Sequence, residues 1–269
     1  MSKPAKNATK QMPFVEHLAE LRRRVIISLI AVSCTAVVCW IFYGWIVDLL
    51  IEPYCSVVSP EAEGLTQTEQ LIGDDNCKLL STDPLEPLSV RFSIAAYGGI
   101  ALTMPFLLWQ LWRFIVPALK PAERRYAVFF VVSGAVLFAA GAALAYWSIP
   151  RALDFLIDVG GSDFVNIFSP RRYVSFIVKM MLAFGVGFEF PVVLIFSQMI
   201  GLVQASTLRR NRRYAILGIV VLVAVITPSG DPITLCVLSV PLYIFYELSI
   251  LYGWQRNRRL ERRLDNAET

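Results

Sequence analysis

A bundle of membrane-spanning α-helices is the fold class that this sequence predicts, on three observations. Of 269 residues, 56% are apolar and 17% charged, with a mean hydropathy of +0.58; soluble domains run nearer 45–50% apolar and about 25% charged. The apolar residues are gathered into long runs. Lys and Arg are gathered between them, on alternate connections. A chain of this kind carries more apolar surface than a soluble core can bury, which excludes an ordinary cytoplasmic enzyme. It contains a single histidine, His17, so no His-rich metal site, Ser-His-Asp triad or Cys-His dyad can be assembled within the spans.

The elements follow in order. Phe14, Leu18, Leu21 and Val25 recur at helical spacing, with Glu16, Glu20, Arg23 and Arg24 on the other faces. This predicts an amphipathic helix over about 12–24, lying on the inner membrane surface before turning into the first span. Apolar runs at 25–50, 88–115, 126–149, 173–201, 214–227 and 233–252 are each read as a span, since a bilayer core of about 30 Å needs about 20 helical residues. The fifth run, Tyr214 to Thr227, is short, reaching only about 21 Å. It predicts a bilayer thinned locally or a protein-lined setting. Residues 1–253 then form one six-helix domain, with an outer loop at 51–87, and 254–269 form a basic tail. Arg22-Arg23-Arg24 before Ala31-Val32-Ser33-Cys34 superficially matches a cleavable signal, but the apolar run continues to Leu50, too long for one.

Charge sets the orientation. Of the 25 Lys and Arg, 19 fall in the N-terminal segment, the second and fourth connections and the C-terminal tail. By the positive-inside rule both termini are cytoplasmic. The 51–87 loop, rich in Asp and Glu, then faces the opposite, oxidising side, which permits a Cys55–Cys77 disulfide, the alternative being two free thiols. Cys34, Cys39 and Cys236 lie in apolar runs, which predicts that they behave as small buried hydrophobes.

Charges inside spans are functional candidates, because each costs about 2.5–3.5 kcal/mol at mid-bilayer on insertion scales. Glu189 lies near the middle of the fourth run, beside Gly185, Gly187 and Pro191. Pro191 predicts a kink beside the carboxyl group. Glu189 is either a polar contact point facing a cavity or a neutral Glu hydrogen-bonded within the bundle. Lys179 can snorkel outward, and Glu247 can pair with an inner-face arginine. Glu20 and Glu123 stand on a face otherwise crowded with arginine. They either pair locally or receive a cationic ligand, since a carboxylate accepts a bidentate guanidinium.

At these residues the chain resembles the TatC family, the multi-spanning component of the twin-arginine protein translocase. The matching stretches run in family order from about residue 12 to 253: His17-Leu18-Ala19-Glu20-Leu21-Arg22-Arg23-Arg24; Trp109-Gln110-Leu111-Trp112-Arg113-Phe114 through Leu119; Glu123-Arg124-Arg125; Phe184-Gly185-Val186-Gly187-Phe188-Glu189-Phe190-Pro191; and Thr227-Pro228-Ser229-Gly230-Asp231-Pro232. The resemblance implies a receptor in a prokaryotic plasma membrane, not an enzyme, with short fifth and sixth spans and a concave, glove-like shape. Such a receptor binds signal peptides of folded cargo that carry two adjacent arginines. It self-associates and assembles with small single-span subunits of TatA/TatB type, and the proton-motive force drives transport. No cofactor, metal or nucleic acid is implied. Glu20 and Glu123 match the carboxylates associated with the arginine pair, and Arg22 and Phe114 match further positions of that surface. Glu189 matches the polar residue of the concave face, Pro53 an outer-loop proline and Asp231 an acid at the outer tip. Many relatives carry a Gln early in the sixth span, where Thr234 is the stand-in here. The tip also departs from the double proline of the family.

The rival reading is a secondary transporter or channel with Glu189 and Lys179 on a shared path. Ten residues of helix separate them by about 80° around the axis and about 15 Å along it. The chain also shows no internal repeat of the kind that supports alternating access.

Overall fold

The computed structural model describes residues 14–58, 79, 81, 83–115, 127–160, 169–228 and 231–268. These residues form α1 (Phe14–Ile41), α2 (Tyr43–Val58), α3 (Glu86–Ile115), α4 (Ala127–Gly160), α5 (Pro170–Gly187), α6 (Phe190–Met199), α7 (Ala205–Arg210), α8 (Arg212–Ile226) and α9 (Pro232–Glu268). No strand occurs among them. Five stretches are long and apolar enough to cross a membrane: His17–Ile41, Glu86–Ile115, Val128–Val159, Pro170–Met199 and Pro232–Arg256. Helix α8 has 15 residues, about 22 Å of rise, which places it below that length.

Three expectations change. No break separates the amphipathic 12–24 segment from the first span; α1 runs unbroken from Phe14 to Ile41, because nothing in it is Gly or Pro. The first apolar run, read to residue 50, is instead divided at Phe42 into two helices, although Phe42 N–H still bonds to Val38 O at 3.0 Å and Ile46 N–H to Phe42 O at 3.2 Å. The chain then continues as α2 to Val58, so the first part of the 51–87 segment is helix. The tail read as a separate 254–269 segment continues the helix of the last span through Glu268, since neither Pro nor any other helix breaker stands at the junction after Trp254. Where a kink beside Glu189 was expected, the helix is interrupted. Helix α5 ends at Gly187 and α6 begins at Phe190, with the proline at the start of the new helix, where its missing N–H is harmless.

Helix α1 packs on α3, α4 on α5, and α9 on α6, α7 and α8. Small residues allow the close approaches, as expected where lipid supplies no hydrophobic force between helices. A Cβ on Gly99 would lie 2.9 Å from Ala36 N, and one on Gly141 would lie 2.5 Å from Phe184 O. Beside Gly99, Thr35 Oγ1 donates to Gly99 O at 2.9 Å. The buried apolar residues form three groups. One gathers Leu50, Ile94, Ile149 and Ile177, another Phe184, Val223, Leu238 and Leu242, and the third Leu108, Trp112, Phe130 and Val192.

Contacts between helix ends define the two ends of the bundle. His17 meets Phe114 and Trp112 meets Phe196, while Arg256 donates to Gln198 O at 3.0 Å. The start of α1 therefore shares one end with the last turns of α3, α6 and the α9 span. That end carries Arg22 to Arg24, Arg113, Arg209 to Arg213 and Arg256, and is called the basic end below. At the opposite end, Tyr173 Oη donates to Leu50 O at 3.1 Å and Ser169 Oγ to Glu86.

Candidate functional site

The first turns of α1 and the last turns of α3 make the candidate site. Glu20 and Arg24 are one helical turn apart with the acid N-terminal, the favourable order for such a pair. Arg24 Nε donates to Glu20 Oε1 at 3.1 Å, and Nη2 donates to the same oxygen. Arg24 Nη1 reaches across to Gln110 Oε1 of α3 at 3.4 Å. One turn earlier, the His17 ring stacks on Phe114 with centroids 4.3 Å apart and planes 17° apart. The side chains of Glu20 and Arg24 are 24% and 15% exposed, and Gln110 is buried. The Glu20 carboxylate therefore lies in a partly desolvated notch between two helices. Among the described residues its Oε2 meets no donor. Arg22 is exposed and Phe114 half-buried. Glu123 lies outside the described residues.

Sequence reasoning singled out Glu20, Arg22 and Phe114 but not Arg24, Gln110 or the His17 stack. The i,i+4 spacing of Glu20 and Arg24 was the one legible signal. The contact with Gln110 spans 86 residues of chain and has no local signature.

Glu189 lies apart from this surface, at the break between α5 and α6. It is 9% exposed, and its Oε1 is buried without a hydrogen-bond partner among the described residues. A Cβ on Gly134 of α4 would lie 2.8 Å from Glu189 Oε2 and 2.9 Å from Leu108 Cδ1. The absence of a side chain at residue 134 is what admits the carboxylate. Lys179 is exposed, in a cavity of about 830 Å³ with Asp83, Arg171 and Arg172. Glu247 pairs with Arg212 at 2.7 Å.

At the opposite end Asp231 is the N-cap of α9. Its Oδ1 accepts the Thr234 N–H at 2.7 Å and its Oδ2 the Thr234 hydroxyl at 2.6 Å. Asp231 is 4% exposed and Thr234 fully buried, so this pair closes the helix start and presents no hydroxyl outward. Pro53 is buried within α2. Cys55 is disulfide-bonded; Cys77 lies outside the described residues. Among the described residues no three His, Cys, Asp or Glu side chains are grouped to hold a metal ion.

Residues 16–241 match the family model described as Sec-independent protein translocase protein (TatC). The TatC protein of Frankia casuarinae is 37% identical over 257 residues, covering 96% of this chain and 70% of that protein. That of Deinococcus radiodurans is 33% identical, covering 93% of this chain and 88% of the relative. Among solved structures, a twin-arginine translocase receptor, TatC, crystallised in DDM superposes with a TM-score of 0.72. It shows 33% identity over 88% of this chain and 99% of the other. This multi-pass membrane protein belongs to the TatC family of protein translocase components.

Proposed function

We propose that this chain is the signal-peptide receptor of a twin-arginine translocase. It crosses a prokaryotic plasma membrane six times, α8 being the short fifth span, with both termini in the cytoplasm. At the basic end it binds signal peptides of folded cargo through Glu20, Glu123, Arg22 and Phe114. It assembles with copies of itself and with small single-span subunits, performs no covalent chemistry, and uses the proton-motive force for export.

The observation that carries this reading is that Glu20 already holds a guanidinium. Its carboxylate accepts two N–H groups of Arg24, whose third nitrogen reaches Gln110, at a partly buried position one turn from the His17–Phe114 stack. An incoming arginine replaces one guanidinium with another, so the carboxylate is never left bare and the desolvation penalty of an unpaired buried charge is avoided. Arg24 retains Gln110 as it leaves. A lysine ammonium cannot reproduce the planar fork, so an Arg-Arg signal is preferred to a Lys-Lys one. The likeness to a solved twin-arginine translocase receptor supports the same reading.

The test is equilibrium binding of an Arg-Arg signal peptide and its Lys-Lys variant to the full chain in nanodiscs. Tighter binding of the Arg-Arg peptide is expected. Equal affinity for the two would overturn the receptor role of this surface.

A further inference from the structure

At the basic end, helices α7, α8 and α9 enclose an open groove of about 1060 Å³ that the peptide surface does not use. Its two halves have opposite chemistry. The rim carries Arg209, Arg210 and Arg212. Arg212 is committed to Glu247 at 2.7 Å, and that carboxylate also accepts the Tyr243 hydroxyl at 3.1 Å. Arg209 and Arg210 are exposed, and no carboxylate meets either among the described residues. The wall along α9 is apolar, with Ile244, Leu248 and Leu251 each about half exposed.

The groove also sits at a defined depth. The apolar part of α8 begins immediately after Arg213, and the α9 span ends at Arg256. Trp254 stands at the lip, 45% exposed, with the Arg258 guanidinium 3.5 Å from its ring centroid. Tryptophan in this position marks the boundary between headgroups and acyl chains. A pair of unpaired guanidinium groups at headgroup depth, above an apolar wall running into the bilayer, matches one occupant on both counts. We propose that this groove is a binding site for an anionic phospholipid. The phosphodiester accepts N–H groups from Arg209 and Arg210, as guanidinium forks pair with phosphate, and an acyl chain lies along Leu248 and Leu251. Basic pockets between membrane helices bind anionic headgroups on the same physical basis. An apolar helix from a protein partner would cover the wall but leave both arginines without an anion.

The experiment measures retention of phosphatidylglycerol and of phosphatidylcholine with the same acyl chains by the full chain in neutral detergent, read by native mass spectrometry. Phosphatidylglycerol should bind in preference. Arg209→Gln with Arg210→Gln should weaken it by about 30-fold, from the attraction of two arginines near an anionic headgroup. Leu248→Trp, which narrows the groove and leaves every arginine in place, should also reduce retention. Arg171→Gln with Arg172→Gln, at the opposite end, should change nothing. Equal retention of the two lipids would overturn the assignment, as would a Leu248→Trp variant that retains lipid like the wild type. Displacement by inorganic phosphate alone would make the groove a bare anion site. Displacement by an apolar single-span peptide that binds the double arginine variant equally well would assign the groove to a protein helix.

Discussion

Glu20→Gln separates recognition from packing, and its magnitude can be worked from the contacts. The Glu20–Arg24 pair lies within one helix and is 24% and 15% exposed. Partly exposed pairs of this kind contribute about 0–1 kcal/mol. The amide oxygen of Gln still accepts one Arg24 N–H, and Arg24 keeps Gln110 at 3.4 Å. We therefore expect the fold to lose less than about 1 kcal/mol. The peptide loses more. A hydrogen bond to a charged group is worth about 1.5–3 kcal/mol, so removing the carboxylate charge should weaken an Arg-Arg peptide by about tenfold to a hundredfold. The Lys-Lys peptide, which never used the fork, should change far less. The companion variant Arg24→Gln frees the acceptor from its internal guanidinium, and affinity should rise by no more than about fivefold. Fluorescence anisotropy in nanodiscs reads both peptides, with thermal unfolding measured in parallel. The reasoning fails if Glu20→Gln weakens both peptides equally, or if its melting temperature collapses while Arg24→Gln also loses affinity.

Three further predictions concern the bundle. Glu189→Gln keeps the shape of a buried carboxyl whose Oε1 has no partner among the described residues. Peptide binding should be unchanged while transport or partner assembly falls, and wild-type transport would return Glu189 to a packing role. Gly141→Ala drives a Cβ to 2.5 Å from Phe184 O, a backbone atom that cannot step aside. It should destabilise the protein by about 1–3 kcal/mol, whereas Gly218→Ala, which meets nothing within 4 Å, should not. Equal melting temperatures for the two in one detergent would refute this account of the α4–α5 contact. Asp231→Ala removes the cap of α9 and should cost about 0.5–2 kcal/mol, with Asp231→Asn nearly neutral. Hydrogen exchange at the first turn of α9 checks it; unchanged protection in the alanine variant would show that the cap is not what closes the helix.

The residues themselves determined that the chain is helical and lives in a membrane, because run length and apolar content are local quantities that a bilayer reads directly. They also marked Pro191 as a place where the helix could be disturbed, since it lacks the N–H that would bond the preceding turn. Pro53, Pro105, Pro150 and Pro241, however, sit inside helices that continue past them, so which proline stands at a break was decided by its surroundings. Helix ends were less legible. The Glu- and Arg-rich start of α1 and the basic tail after Trp254 look like separate segments by composition. The backbone nevertheless stays helical until something breaks its hydrogen bonds, and polar side chains do not. Glu20 was marked as an acid among arginines, and its Arg24 partner lay one turn away in plain view. That Gln110 holds the same arginine, that Phe114 stacks on His17, and that Gly134 admits the Glu189 carboxylate were decided only by tertiary packing. These are contacts between helices that meet far along the chain, and the periodicity of each helix carries no record of which neighbour it faces.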